Sequence, residues 1–108
     1  GPPIAGEAAR TAERLMRSRY TAFAIGDAAY LAATWHPGTR PADVVVDPQL
    51  HWEGLTIVGT EAGGESDRRG VVEFEASWRE GSATGVLRER SRFVRQGERW
   101  WYLDGETR

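Results

Sequence analysis

The chain has 108 residues, 40% hydrophobic and 28% charged, with a net charge of −2; one domain of this size buries about two-thirds of its unfolded surface and folds without a metal or a disulfide. It contains no cysteine, and all 14 basic residues are arginine, which excludes disulfides, thiol catalysis and lysine Schiff-base chemistry within the chain. No apolar run approaches the roughly 18 residues of a membrane span, no stretch has a signal-peptide layout, and the interleaved charges form no basic stripe of the kind nucleic-acid binders carry. A cytoplasmic domain with neither membrane nor nucleic-acid partners is expected.

Residues 1–10 hold two prolines and two glycines among small residues and read as a tail or linker, followed by one domain over 11–108. Thr11 is placed to cap a helix, with Glu13 in its positive first turn. Leu15, Met16, Tyr20 and Phe23 recur as one helical face, and Glu13 and Arg17 are spaced to pair on the exposed side. Gly26 stops this helix. Asp27 caps a shorter one whose buried face is Tyr30, Leu31, Thr34 and Trp35, and which ends at His36 because a residue before proline (Pro37) is pushed out of the α region. The stretch from Gly38 to Asp47 reads as a loop with one short extended or helical piece.

From Leu50 onward the hydrophobic period becomes two. Runs at His51–Val58, Val71–Arg79, Gly85–Arg95 and Arg99–Asp104 are rich in β-branched and aromatic residues and read as strands. Gly54 marks a bulge or bend, and Gly59–Gly70 an exposed loop. A hairpin turning at Gly81–Thr84 sets Glu73 and Glu75 opposite Arg88, Arg90 and Arg92 on a solvated face, with favourable cross-strand pairs. The other face then carries Val72, Phe74, Ala76 and Trp78 against Leu87, Glu89, Ser91 and Phe93. Two or three helices followed by about four antiparallel strands give an α+β fold. With a bend in the first strand, the sheet can curl around the helices into a cone with an open end, where pockets form.

The run Ala12-Glu13-Arg14-Leu15-Met16-Arg17-Ser18-Arg19-Tyr20-Thr21-Ala22-Phe23, then Gly26-Asp27, Thr34-Trp35-His36-Pro37 and Thr39-Arg40-Pro41, resembles the YchJ-like family of uncharacterised bacterial proteins. Trp52-Glu53-Gly54-Leu55, Val72-Glu73-Phe74-Glu75-Ala76, Glu89-Arg90-Ser91-Arg92-Phe93-Val94 and Arg99-Trp100-Trp101-Tyr102-Leu103-Asp104-Gly105 extend the resemblance to roughly residues 11–105. It implies the nuclear transport factor 2-like fold of the family's middle domain. Cysteine-rich SEC-C motifs, thought to bind zinc, often flank that domain in family members and do not occur in this chain. Gly1-Pro2-Pro3 resembles the stretch that follows such a motif. Family members often carry histidine just before the Glu89-Arg90-Ser91 motif, where this chain has Arg88.

Glu89 and Ser91 are the most informative polar residues, because alternation places both on the apolar face. A buried carboxylate needs a partner or it becomes protonated. Glu89 therefore either pairs with an internal arginine, Arg19 or Arg40, or serves a pocket as an acid or base. Asp104 shares a strand side with Trp100 and Tyr102, and either faces the cone mouth or shapes the turn with Gly105. Trp100 and Tyr102 read as core aromatics or ligand platforms. His36 either caps helix carbonyls or moves protons, and Arg40, on a rigid loop, holds a structural ion pair or an anionic ligand group. His36 and His51 lie too far apart for a metal motif, and no phosphate loop or nucleophile elbow is present, so no metal or cofactor is expected.

Two functions compete. The first is a binding or interaction scaffold that accompanies the SEC-C motifs, as a homodimer or with a protein partner. The second is a small-molecule enzyme, in which Glu89, His36 and Asp104 converge in the cone as catalytic groups and Trp35, Arg40, Ser91, Trp100 and Tyr102 hold the ligand. Support for the second is analogy with acid–base enzymes of the same fold.

Overall fold

In the computed structural model, residues 9–108 are described; the tail expected over 1–10 lies outside them except for Ala9 and Arg10. Helix α1, Ala12–Ile25, starts where the Thr11 hydroxyl accepts from the Arg14 amide at 3.1 Å, satisfying one of the free N–H groups of the first turn. Arg17 Nε donates to Glu13 at 3.0 Å one turn away. Gly26 ends the helix at φ 77°, a conformation that costs glycine little. The Asp27 carboxylate then accepts from the Tyr30 amide at 3.0 Å and opens α2, Ala28–Ala33.

Helix α2 stops earlier than Pro37 requires. The chain beyond Thr34 is captured by the last strand: the Tyr102 amide donates to the Thr34 carbonyl at 2.9 Å and the His36 amide to the Tyr102 carbonyl at 2.8 Å, a lone parallel bridge centred on Trp35. No regular element forms between Gly38 and Asp47.

Four strands follow, β1 His51–Ala62, β2 Arg69–Glu80, β3 Ala83–Gln96 and β4 Arg99–Thr107, in an antiparallel sheet of order β1-β2-β3-β4. Each outruns its hydrophobic pattern. Gly59–Ala62 pair with Gly70–Glu73, so the expected Gly59–Gly70 loop narrows to Gly63–Arg68. Backbone pairing needs no apolar side chains, and the exposed ends of the hairpin leave no period-two signal.

Three irregularities bend the sheet. Trp52 faces Trp78 while Gly54 faces Ser77, and Ile57 faces Phe74 while Gly59 faces Glu73, so Glu53 and Val58 are extra residues on β1. The first of these is the bend read from Gly54. The third lies on β4: Asp104 faces Arg92 and Tyr102 faces Phe93, leaving Leu103 unpaired. Such bulges kink and twist the strand that carries them.

The β2–β3 hairpin turns at Gly81–Ser82 and sets Glu73 opposite Arg90 and Glu75 opposite Arg88. Arg88 meets Glu73 at 2.9 Å and Glu75 at 3.7 Å, and Arg90 also reaches Glu61 at 2.8 Å. The opposite face packs on α1: Ala12, Leu15 and Met16 bury against Val72, Phe74, Ala76, Phe93 and Trp100. Among the described residues no helix is long and apolar enough to cross a membrane.

Candidate functional site

Strand β3 alternates strictly, so Arg88, Arg90 and Arg92 point outward while Leu87, Glu89, Ser91 and Phe93 point toward α1. Between these inward residues, α1 and the Trp35 bridge lies a cavity of about 180 Å³. Met16, Phe23, Trp52 and Phe74 give it apolar walls; Arg19, Glu89, Ser91, Trp35 and Tyr102 contribute its polar atoms.

Glu89 is held by Ser91, which is only 1% exposed and donates its hydroxyl to Glu89 Oε2 at 2.6 Å. Among the described residues Glu89 makes no ion pair with Arg19 or Arg40. Arg19, 4% exposed, is anchored elsewhere: Nη1 donates to the Leu31 carbonyl at 2.8 Å and to Thr34 Oγ1 at 2.7 Å. Its guanidinium carbon sits 4.3 Å from the Tyr102 ring centre and 5.2 Å from that of Trp35, a cation over two aromatic rings. Burial pushes its pKa down to about 10, so it stays charged at neutral pH.

Tyr102 joins the two charges. Arg19 covers its face, and its hydroxyl reaches the Glu89 end of the cavity. Burial pushes the hydroxyl up to about 12, and the neighbouring Glu89 carboxylate pushes in the same direction, so it stays protonated. Gly105, opposite Ser91, makes room for this corner. A Cβ there would run into the Glu89 carboxylate and lie 2.9 Å from the Tyr102 hydroxyl, so the ends of these side chains would have to shift. The Trp35 indole N–H is buried without an acceptor among the described residues and its ring meets Tyr102 edge to face at 5.0 Å.

The cavity therefore collects Glu89, Ser91, Trp35 and Tyr102 from the expected site residues and leaves four others outside. Asp104 is the clearest correction. The extra residue at Leu103 reverses the alternation of β4, so Asp104 leaves the side of Trp100 and Tyr102 and joins the outer face. It neither faces the cavity nor forms a turn, because β4 continues to Thr107. There it receives Arg92 Nε at 2.7 Å and Nη2 at 2.5 Å, which hold its carboxyl below the usual carboxylate range. His36 is likewise not convergent with Glu89. Its ring turns away, with Nδ1 accepting from the Gly38 amide at 3.0 Å and Nε2 bonded to Gln96 Oε1 at 2.9 Å. Arg40 is exposed and donates to the Ala32 carbonyl at 3.2 Å, capping α2 instead of forming an ion pair. Trp100 is buried on α1, its indole donating to the Arg10 carbonyl at 3.1 Å. Arg88, just before the Glu89-Arg90-Ser91 motif, faces outward in the Glu73–Glu75 ladder.

Sequence reasoning weighed Arg19 only as a partner for Glu89, and passed over Trp52, Phe23 and Gly105. For Arg19 a signal existed: it lies four residues from both Leu15 and Phe23, on the buried stripe of α1. For Gly105 there was none, since its role depends on the register of β4 against β3. Among the described residues no cluster of three or more His, Asp or Glu side chains is arranged to hold a metal ion.

Two helices on a four-stranded antiparallel sheet, with a cavity between the layers, define an α+β domain of the nuclear transport factor 2-like class. The chain belongs to the YchJ family: the family model described as the YchJ middle NTF2-like domain matches residues 11–105. It is 54% identical over 98 residues to a UPF0225 protein of Streptomyces avermitilis, covering 91% of this chain and 67% of that protein. It is 47% identical over 100 residues to one of Chromobacterium violaceum, covering 90% and 74%. Among solved structures it resembles a SEC-C motif containing protein from Rhodopseudomonas palustris, with a TM-score of 0.79, 32% identity, and coverage of 93% of this chain and 80% of that one. A SEC-C motif containing protein from Psychrobacter arcticus matches with a TM-score of 0.72, 28% identity, and coverage of 93% and 63%.

Proposed function

We propose that this chain is a cytoplasmic small-molecule-binding module that works beside SEC-C motifs in longer proteins of its family. The observation that carries the reading is the unclosed charge pair: Arg19 and Glu89 line one cavity and are each bonded to neutral groups instead of to each other. Arg19 is buried and Glu89 half-buried, and taking charge out of water is costly unless it is paired or hydrogen-bonded. A domain that served only as a rigid scaffold would lower that cost by letting the two meet or by replacing both with apolar residues. The sheet, bent at its bulges and closed by α1, is read here as a cone with the cavity inside it.

The volume bounds the ligand. A dry cavity of about 150 Å³ accommodates benzene, so about 180 Å³ suits a molecule built on one ring. An acid–base enzyme is less favoured, because His36 and Asp104 are absent from the cavity and Glu89 stands there without a second titrating carboxylate or imidazole. A metabolite screen read by protein NMR tests the proposal. The expected result is a single-ring compound whose binding shifts the indole signals of Trp35 and Trp52 and leaves that of Trp101, on the far side of β4, in place. A screen in which no compound perturbs the cavity residues at millimolar concentration overturns it.

A further inference from the structure

The polar atoms of the cavity are arranged around one ring. Arg19 lies 4.3 Å above the face of Tyr102, and Glu89 Oε2 stands at its hydroxyl end, where both crowd the space beside Gly105. Each charge is only partly used. Arg19 bonds protein acceptors through Nη1 alone among the described residues, leaving N–H groups on Nε and Nη2. Glu89 accepts from Ser91 on Oε2, leaving Oε1 as an acceptor. The remaining surface is aromatic and aliphatic, supplied by Phe23, Trp52, Phe74 and Phe93.

Resting on the binding role proposed above, we infer that the cavity selects a neutral, flat, single-ring molecule bearing an amide or cyclic amide. Its carbonyl accepts from Arg19 and its N–H donates to Glu89. The selection follows from the charges. An anionic ligand that reaches Arg19 brings its charge to Glu89, and a cationic ligand that reaches Glu89 brings its charge to Arg19; with Arg19 buried and Glu89 half-buried, either repulsion is screened less than at the open surface. A hydrocarbon of the same size fills the apolar walls and leaves both charges with unmet hydrogen-bonding capacity, which is costly. An amide places a donor beside an acceptor on a neutral group and meets both. Its flat ring suits the aromatic walls, where stacked and edge-on contacts add to area burial.

The test is an NMR titration of the full chain with four probes of one size: benzamide, toluene, benzoate and benzylamine. Benzamide is expected to bind at least about tenfold more tightly than each of the others, the factor that one charge-assisted hydrogen bond supplies. In Glu89→Gln the negative charge is gone, so benzoate is expected to overtake benzamide while benzylamine gains nothing. Toluene binding as tightly as benzamide overturns the inference and leaves the binding role standing, since the cavity then selects by volume alone. An unchanged order of probes in a folded Glu89→Gln also overturns it. Failure of all four to shift any cavity residue overturns the inference and the binding role together. The series on the unaltered chain decides the first and last outcomes even where the variant does not fold.

Discussion

On the outer face of the sheet, Arg88 meets Glu73 at 2.9 Å and Arg92 meets Asp104 at 2.5 Å, whereas on the inner face Arg19 and Glu89 line one cavity without touching. The same two chemistries are thus used in opposite ways on the two faces of one sheet. Outside, water screens the charges, so each ion pair contributes little to stability and its main effect is to keep that face solvated. Inside, Arg19 is buried and Glu89 half-buried, and each charge has a few named partners: Leu31, Thr34 and two aromatic rings for Arg19, Ser91 for Glu89. The lesson is that contact is no measure of importance here. The pairs that touch lie on the solvated face, and the pair that does not touch lines the cavity.

Removing Arg19 breaks this contrast most severely. Arg19→Ala removes the charged donor to the Leu31 carbonyl and Thr34, opens a void beneath Trp35 and Tyr102, and leaves Glu89 without a nearby cation; a loss of about 3 kcal/mol is expected in urea unfolding, in the range of large core truncations. Gly105→Ala sharpens it by touching only the anionic end. The added methyl collides with Glu89 and the Tyr102 hydroxyl, so a loss of about 1–3 kcal/mol is expected from overpacking, with shifted NMR signals for Ser91 and Tyr102. A loss under half a kcal/mol would show that the corner yields freely.

The smallest effect belongs to the outer face. The Arg92 hydrogen bonds lower the Asp104 pKa in the folded chain, so the folded state binds its proton less readily than the unfolded one. The stabilisation is full above the unfolded value of about 4 and is lost as pH falls through the lower folded value. Asp104→Asn is therefore expected to lower stability slightly at neutral pH, to leave it unchanged below the folded value, and so to flatten the acid limb of a pH–stability curve. An unaltered acid limb would mean that the pair is silent in solution.

Local features were legible where local chemistry decides them. Thr11, Gly26 and Asp27 end or begin helices through bonds within a single turn, and the Glu73–Arg90 and Glu75–Arg88 pairings follow from charge alternation about one short turn. Alternation also placed Glu89 and Ser91 inside, because β3 runs without an extra residue along β2. The same rule failed for Asp104, since one unpaired residue, Leu103, reverses every side chain beyond it, and Asp104-Gly105 reads equally well as a turn. His36 failed for a different reason: its ring direction depends on Gln96, 60 residues away.

By itself, then, the sequence determined the class of fold, the order of its elements, the solvated face of the sheet and the inward placement of a lone carboxylate, half-buried, on β3. All of these are written in periods, caps and charge patterns within a few residues of one another. Only the tertiary structure decided that Arg19 would stop short of Glu89, that Tyr102 would stand between them, and that Gly105 would leave the space they need. Those outcomes depend on how α1 crosses the sheet and on the register of β4, which are set by the packing of the whole core and by one bulge.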